Sequence, residues 1–508
     1  CFLCGRAPAS AVSHAASRFP PHKTTLSSML LIPASWPPYA LSLFAGLSAS
    51  YGGVHLSRRL LQRASGKRKR AKQEEKAEGP QTTTTTNGTT VGKDTNGEKN
   101  KGAFAAFQRE YLTVYLITML ADWLQGTNMY TLYSGYGMPV STLFLTGFSS
   151  SLAFGTFLGL LVDRYGRKRA CVLFCLLEIV INALEHVPNM PILLFGRVLG
   201  GISTSLLFSA FESWMVAEHR KRNFDETLLA STFSLAAAGN GGVAVAAGFM
   251  AQVASDRHGD IGPFRLAIFL TVVSLGFVAR WPENYGVGDR RRDDGSNADV
   301  QKKNGTKTSL SVFGAVSASF RDAWQVLRAD ARCALLACAS ALFEGATFTF
   351  VFMWVPTLLR LTETDLPLGV IFACFMICIA AGGDLFGLVC SDLRSFDNNA
   401  QKKIIHVEVF SLIVLVVAAS SMLVPALCPT FAPTLTAFLV LETCVGAFGA
   451  AAATMRSKYI PDRLQSAVMN LSRVPLNLLV VAGTTAADTL PPKPAFLTVA
   501  AAFAVAAL

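Results

Sequence analysis

Gly159-Leu160-Leu161-Val162-Asp163-Arg164-Tyr165-Gly166-Arg167-Lys168-Arg169 decides how this chain is read. It is a tight basic knot between apolar runs of about 20 residues on either side, each long enough to cross hydrocarbon. A charged loop this short between two such runs reads as a cytosolic hinge joining two membrane spans.

Composition points the same way. Of 508 residues, 51% are apolar and only 15% charged, with a mean hydropathy of +0.41. A soluble domain carries about a quarter charged residues, so most of this chain avoids water. The net charge of +12 would point to nucleic acid in a soluble protein. Here the basic residues crowd into short loops between apolar runs, where they act as orientation signals instead. The 11 cysteines form no paired framework. Most sit inside apolar runs, as Cys171, Cys175, Cys374 and Cys378 do, and read as small buried residues. Cys1-x-x-Cys4 falls in residues 1–37, a segment without an initiating Met that is expected to lie upstream of the native protein.

A first apolar stretch, 38–57, reads as an N-terminal transmembrane anchor. The basic cluster Arg58, Arg59, Arg63, Lys67, Arg68, Lys69 and Arg70 follows it, which favours a signal anchor over a cleaved leader. The basic and Thr-rich segment 58–107 is expected to be a disordered cytosolic linker, because it holds too little apolar surface to fold. Twelve further spans are expected near 108–131, 139–162, 170–187, 191–213, 230–255, 263–281, 333–355, 367–390, 404–424, 433–454, 465–487 and 493–508. Continuous apolar runs of this length satisfy their backbone only as helices, so the class is an all-α membrane protein and a β-barrel is rejected. The segment 282–332 is a central cytosolic loop dividing an N-terminal six-helix bundle, 108–281, from a C-terminal one, 333–508. The last span reaches Leu508, where the second bundle is expected to be cut short.

Charge bias tests this count. Alternate loops hold Arg164/Arg167/Lys168/Arg169, Arg220/Lys221/Arg222, the basic stretch from Arg290 to Arg328, Arg394/Lys402/Lys403 and Arg456/Lys458/Arg463. The intervening loops hold little beyond Arg257, Arg360 and Lys493, as the positive-inside rule requires. The sequon Asn87-Gly88-Thr89 is cytosolic in this topology and unused. A faint internal repeat supports two related bundles. Gln125-Gly126-Thr127 falls where Glu344-Gly345-Ala346-Thr347 falls, and Arg197-x-x-x-Gly201 where Glu442-x-x-x-Gly446 does.

Ionisable groups in hydrocarbon cost about 2.5–3.5 kcal/mol each, so each needs a reason. Arg473 lies too deep in its span to snorkel easily and precedes Pro475, which frees backbone carbonyls. A guanidinium fork matches the oxygens of a tetrahedral oxyanion, so Arg473 is the first candidate for substrate binding. Arg197, Gln125, Asn240 and Asn470 join it as candidates. The alternative for each arginine is an ion pair, with Glu344 or Glu442 as partners for Arg473. Asp122, Glu344, Glu212 and Glu442 are candidates for proton coupling or gating, against the alternative of interhelical bonding. Glu178, Asn182 and Glu185 form one stripe and read as glue between helices. Glycine-rich patches such as Gly239-Asn240-Gly241-Gly242 lack the strand and lysine of a phosphate loop and read as close helix packing. No nucleophile–base pair, zinc cluster or ATP site is present in the sequence, so no enzyme, cofactor or metal is expected.

The hinge pattern, carried by Gly159, Asp163, Arg164, Gly166, Arg167 and Lys168, resembles the conformational loop signature of the major facilitator superfamily. More specific segments resemble one branch of it, the molybdate-anion transporter family. They are Ala121-Asp122-Trp123-Leu124-Gln125, Leu207-Phe208-Ser209-Ala210-Phe211-Glu212-Ser213-Trp214, Glu283-Asn284-Tyr285 and Asn470-x-x-Arg473-Val474-Pro475, within 108–490. The resemblance implies a secondary-active transporter with the superfamily fold, two six-helix bundles plus one extra N-terminal span, that takes up molybdate by alternating access. Protons are the expected coupling ion, the plasma membrane the expected site, and a monomer in lipid the expected state. The alternatives are a porter for a sulfate-like anion or a sugar, and a non-transporting nutrient sensor or scaffold.

Overall fold

The computed structural model describes residues 37–53, 55, 95–285, 321, 324–391, 406–460 and 465–508. Residues 1–36, most of the expected linker and most of the central loop lie outside the described residues, as does the sequon at Asn87.

A helix over 38–53 (α1) precedes the first bundle. That bundle is built from α2 (Thr95–Gly126), α3 (Met129–Gly135), α4 (Val140–Tyr165), α5 (Arg167–Leu184), α6 (Met190–Lys221), α7 (Glu226–His258) and α8 (Gly262–Val278). The second contains α9 (Ala331–Arg360), α10 (Leu368–Phe386), α11 (Val407–Leu427), α12 (Phe431–Tyr459), α13 (Gln465–Thr489) and α14 (Pro492–Ala506). The described residues are helical and turn structure without strands. The all-α expectation holds.

Local chemistry sets the ends. Asn189 caps α6 by accepting from the Ile192 N–H, and His219, Arg220 and Lys221 meet the negative end of its dipole. Asp225 caps α7 by accepting from the Thr227 N–H and hydroxyl. Gly166 separates α4 from α5 at φ +112°, a conformation L side chains rarely adopt.

Two elements differ from the sequence reading. Helix α2 starts at Thr95, inside the tract expected to be disordered. Phe104 and Phe107 pack on Phe224, at ring-centroid distances of 5.4 and 5.6 Å, and give this stretch the apolar anchor that the polar tract lacks. The first core span is also broken in two at Thr127-Asn128, where the Asn128 amide leaves the helix to donate to Asp260 and Ser255.

Among the described residues, six helices, α6, α7 and α9–α12, are long and apolar enough to cross a bilayer, alongside shorter apolar helical runs. Val409, Leu412, Ile413 and Val416 are exposed on α11 at helical spacing, a lipid-facing stripe. Two aromatic cores hold the bundles. In the first, the Trp214 and Trp281 rings stack at 3.8 Å beside Phe107, Phe174 and Phe211. In the second, Phe343 stacks on Phe448 at 4.1 Å and Phe350 is fully buried against Phe438.

The bundles meet through α7 with α10 and α4 with α13. A Cβ on Gly248 of α7 would sit 2.4 Å from the Gly369 carbonyl of α10, so only glycine permits this approach. Phe144 and Phe148 of α4 meet Phe352 and Phe348 of α9 at 5.6 and 5.2 Å. These contacts lie in the half that the charge bias places away from the cytosol. The two bundles therefore touch along this half through α4, α7, α10 and α13. Helix α1 lies along the same seam, with Phe44 on Phe249 of α7 and Ala40 on Val370 of α10.

Candidate functional site

The candidate ionisable residues fall into two groups with different surroundings. In the first bundle they are bonded to one another. The Glu178 carboxylate of α5 accepts from Gln125 Nε2 of α2 at 2.9 Å, from Ser203 Oγ of α6 at 2.6 Å and from Asn182 Nδ2. Two turns further out, Glu185 accepts from Arg197 Nη2 of α6 at 2.6 Å and from Tyr133 Oη at 2.8 Å. The Arg197 guanidinium also lies over the Tyr133 ring at 5.7 Å. The stripe on α5 thus ties that helix to both α2–α3 and α6. Arg197 is held in a buried ion pair, with side-chain exposures of 11% and 1% for the two partners. Gln125 spends its amide on Glu178, and Asn240 accepts from the Trp123 indole N–H at 2.9 Å.

In the second bundle the arrangement is open. Ser340 and Glu344 lie one turn apart on α9, and Phe348 one turn beyond them. Phe348 packs on Phe148 of the opposite bundle, so this face of α9 meets the first bundle one turn beyond Glu344, which is itself exposed. Leu476 of α13 packs toward Phe148 as well, which turns Arg473, one turn earlier, to the same side. Glycine brings these two helices together, because a Cβ on Gly345 would sit 2.8 Å from the Leu479 Cβ.

A cavity of about 80 Å³ opens here, lined by Ser340, Glu344, Arg456, Ser472 and Arg473 among apolar side chains. Both guanidiniums lie within electrostatic reach of the Glu344 carboxylate. Among the described residues, neither makes a side-chain hydrogen bond or ion pair. Ser340 Oγ is buried and unbonded, whereas the Ser472 hydroxyl is spent on the Met469 carbonyl.

The remaining candidates lie apart from this cavity. Asp122 is half-buried on α2, near Glu178, and Glu212 is exposed on α6. Glu442 is buried on α12 with no hydrogen bond among the described residues. The Asn470 side chain lies outside the described residues.

In the hinge, Glu283 caps the start of α5, accepting from the Lys168 and Arg169 N–H groups at 2.8 and 3.2 Å. Arg167 N–H donates to the Asn284 carbonyl at 3.0 Å. The side chains of Asp163 and Arg164, and the surroundings of Gly159, lie outside the described residues.

Sequence reasoning missed Arg456 and Ser340. Arg456 was read only as an orientation charge, and a lone serine in an apolar run gives no signal. The helical register of Ser340 with Glu344 is the one clue that could have found it.

The family model described as "Sugar-tranasporters, 12 TM" matches residues 83–449. The molybdate-anion transporter of Xenopus tropicalis is 34% identical over 390 residues, covering 75% of this chain and 79% of that protein. That of Danio rerio is 33% identical over 397 residues, covering 76% and 80%. Among solved structures, a bacterial homolog of the human lysosomal transporter Spinster aligns with a TM-score of 0.56 at 11% identity, covering 79% of this chain and 95% of that one. At that identity the likeness speaks for the fold.

Proposed function

The chain belongs to the molybdate-anion transporter family of the major facilitator superfamily, and from that premise we propose that it takes up molybdate as a secondary-active transporter. The observation that carries this reading is the cavity between α9, α12 and α13, lined by both Arg473 and Arg456, where no anion among the described residues is bonded to Arg473. A guanidinium presents planar paired donors suited to the oxygens of a tetrahedral oxyanion.

In this reading the two bundles rock about the cavity and expose it to one side at a time. The contacts between bundles on the outer half and the cavity near the cytosolic ends of α12 and α13 correspond to a release-ready state. Arg473 holds the anion, and Glu344 or Asp122 is the group whose protonation couples uptake to a proton gradient. The pairing of Arg197 with Glu185 favours a structural role for that arginine. The protein works as a monomer in the plasma membrane.

The test is flux of labelled molybdate into proteoliposomes, with sulfate as competitor and an imposed pH gradient. Saturable uptake accelerated by the gradient is expected. Absence of uptake under every gradient would overturn the reading. The family model's description favours a sugar as the second reading. Inhibition by sugars, with no molybdate flux, would select it.

A further inference from the structure

The cavity around Arg473 places two guanidiniums, one carboxylate and one unbonded hydroxyl together. Ser340 is 9% exposed, and its orphaned Oγ is a buried polar atom that an oxygen-rich guest would satisfy. Arg456 approaches from α12 and Arg473 from α13, so three helices converge on the space. Charge decides what fits. With Glu344 ionised, the two arginines and one carboxylate leave a single net positive charge. With Glu344 neutral, two positive charges remain, matching a dianion.

We propose that Arg456, Arg473 and Ser340 form one oxyanion seat whose preference for anion valence is set by the protonation of Glu344. This rests on the reading of the cavity as the transport site. Glu344 takes up one proton as the dianion enters and returns it to water as the dianion leaves, so one proton travels with each anion and halves the charge moved. A monovalent tetrahedral anion instead suits the ionised state and needs no proton.

The other charged and titratable groups around α9 leave this balance in place. On α12, Lys458 is bonded to Glu408 at 2.6 Å, and Glu442 lies deeper and apart from the cavity lining. On α14 the single titratable group, Lys493, is in the first turn at the far end. On α3, Tyr133 donates to Glu185, and Tyr130 packs on Phe352.

The experiment is equilibrium binding of molybdate and of perrhenate, a monovalent tetrahedral oxyanion, to the purified full chain across neutral pH. Molybdate affinity is expected to fall as pH rises, by up to about tenfold per pH unit, the slope of one linked proton. Perrhenate affinity stays nearly flat or rises. In Glu344→Gln the molybdate slope disappears and binding persists at the higher pH. In Arg456→Gln molybdate binding falls by about tenfold or more, and Arg456→Lys restores part of it, which a folding defect would not produce. A Glu344→Gln protein that keeps the wild-type slope, or an Arg456→Gln protein that binds normally, overturns the proposal. Arg473→Ala separates the two levels. If Arg473→Ala abolishes binding while Glu344→Gln keeps the wild-type slope, only the proton assignment fails, and if Arg473→Ala binds normally the transport-site reading fails with it.

Discussion

Arg197 and Arg473 are both arginines placed by sequence within membrane helices, yet the two bundles treat them oppositely. Arg197 is locked against Glu185 at 2.6 Å with Tyr133 beneath it. Arg473 faces a cavity with another guanidinium nearby and no bonded partner among the described residues. Arg197 is taken out of water and compensated by a buried carboxylate, whereas Arg473 is exposed and its donors stay available to a guest. The difference teaches that pairing, more than depth, separates a structural charge from a candidate binding charge.

The sharpest break of this comparison is Arg473→Ala. Tracer uptake is expected to vanish while surface abundance is unchanged; parental uptake would remove the residue from the site. Next comes Arg197→Leu, which strands the buried Glu185 carboxylate and costs about 3–5 kcal/mol of stability. The double variant Arg197→Leu with Glu185→Leu should recover most of the thermal midpoint and retain flux per folded molecule. A single variant that folds normally but cannot transport would erase the distinction between the two arginines.

Smaller effects test the frame around them. Gly166→Ala adds a Cβ 2.8 Å from the Glu283 carboxylate at a φ of +112°. It should lower stability by about 1 kcal/mol or more, read as detergent-solution thermal midpoint. The smallest effect belongs to Asp225. Its carboxylate is held below the usual range by the Thr227 N–H and hydroxyl. A depressed folded value gives stabilisation that is present above the unfolded carboxylate range and fades as pH falls through the folded one. Asp225→Ala should therefore trim stability slightly at neutral pH and converge on the parent as pH falls through the carboxylate range, which makes its acid limb slightly shallower.

The spans were legible because long apolar runs and alternating basic loops are one-dimensional signals. The stripe Glu178-Asn182-Glu185 was legible because helical spacing puts those residues on one face. What joins them was not. Gln125, Ser203, Tyr133 and Arg197 reach that stripe from other helices, and no local pattern encodes such pairings. The early start of α2 was hidden because its anchor, Phe104 and Phe107 on Phe224, joins residues far apart in the chain. Arg456 was misread for a related reason: a basic residue near a cytosolic helix end looks the same whether it faces headgroups or a cavity.

The depth of the cavity carries an electrical consequence. Arg473 lies two turns into α13, about 12 Å from the cytosolic start of that helix at 1.5 Å per residue. An anion seated there has already crossed most of the membrane's voltage drop, and each elementary charge moved through the full field is worth about 2.3 kcal/mol per 100 mV. In a uniform field across about 30 Å of hydrocarbon, more than half of the voltage dependence should then appear in the steps that load the carrier and swing it inward, and the smaller remainder in discharge to the cytosol.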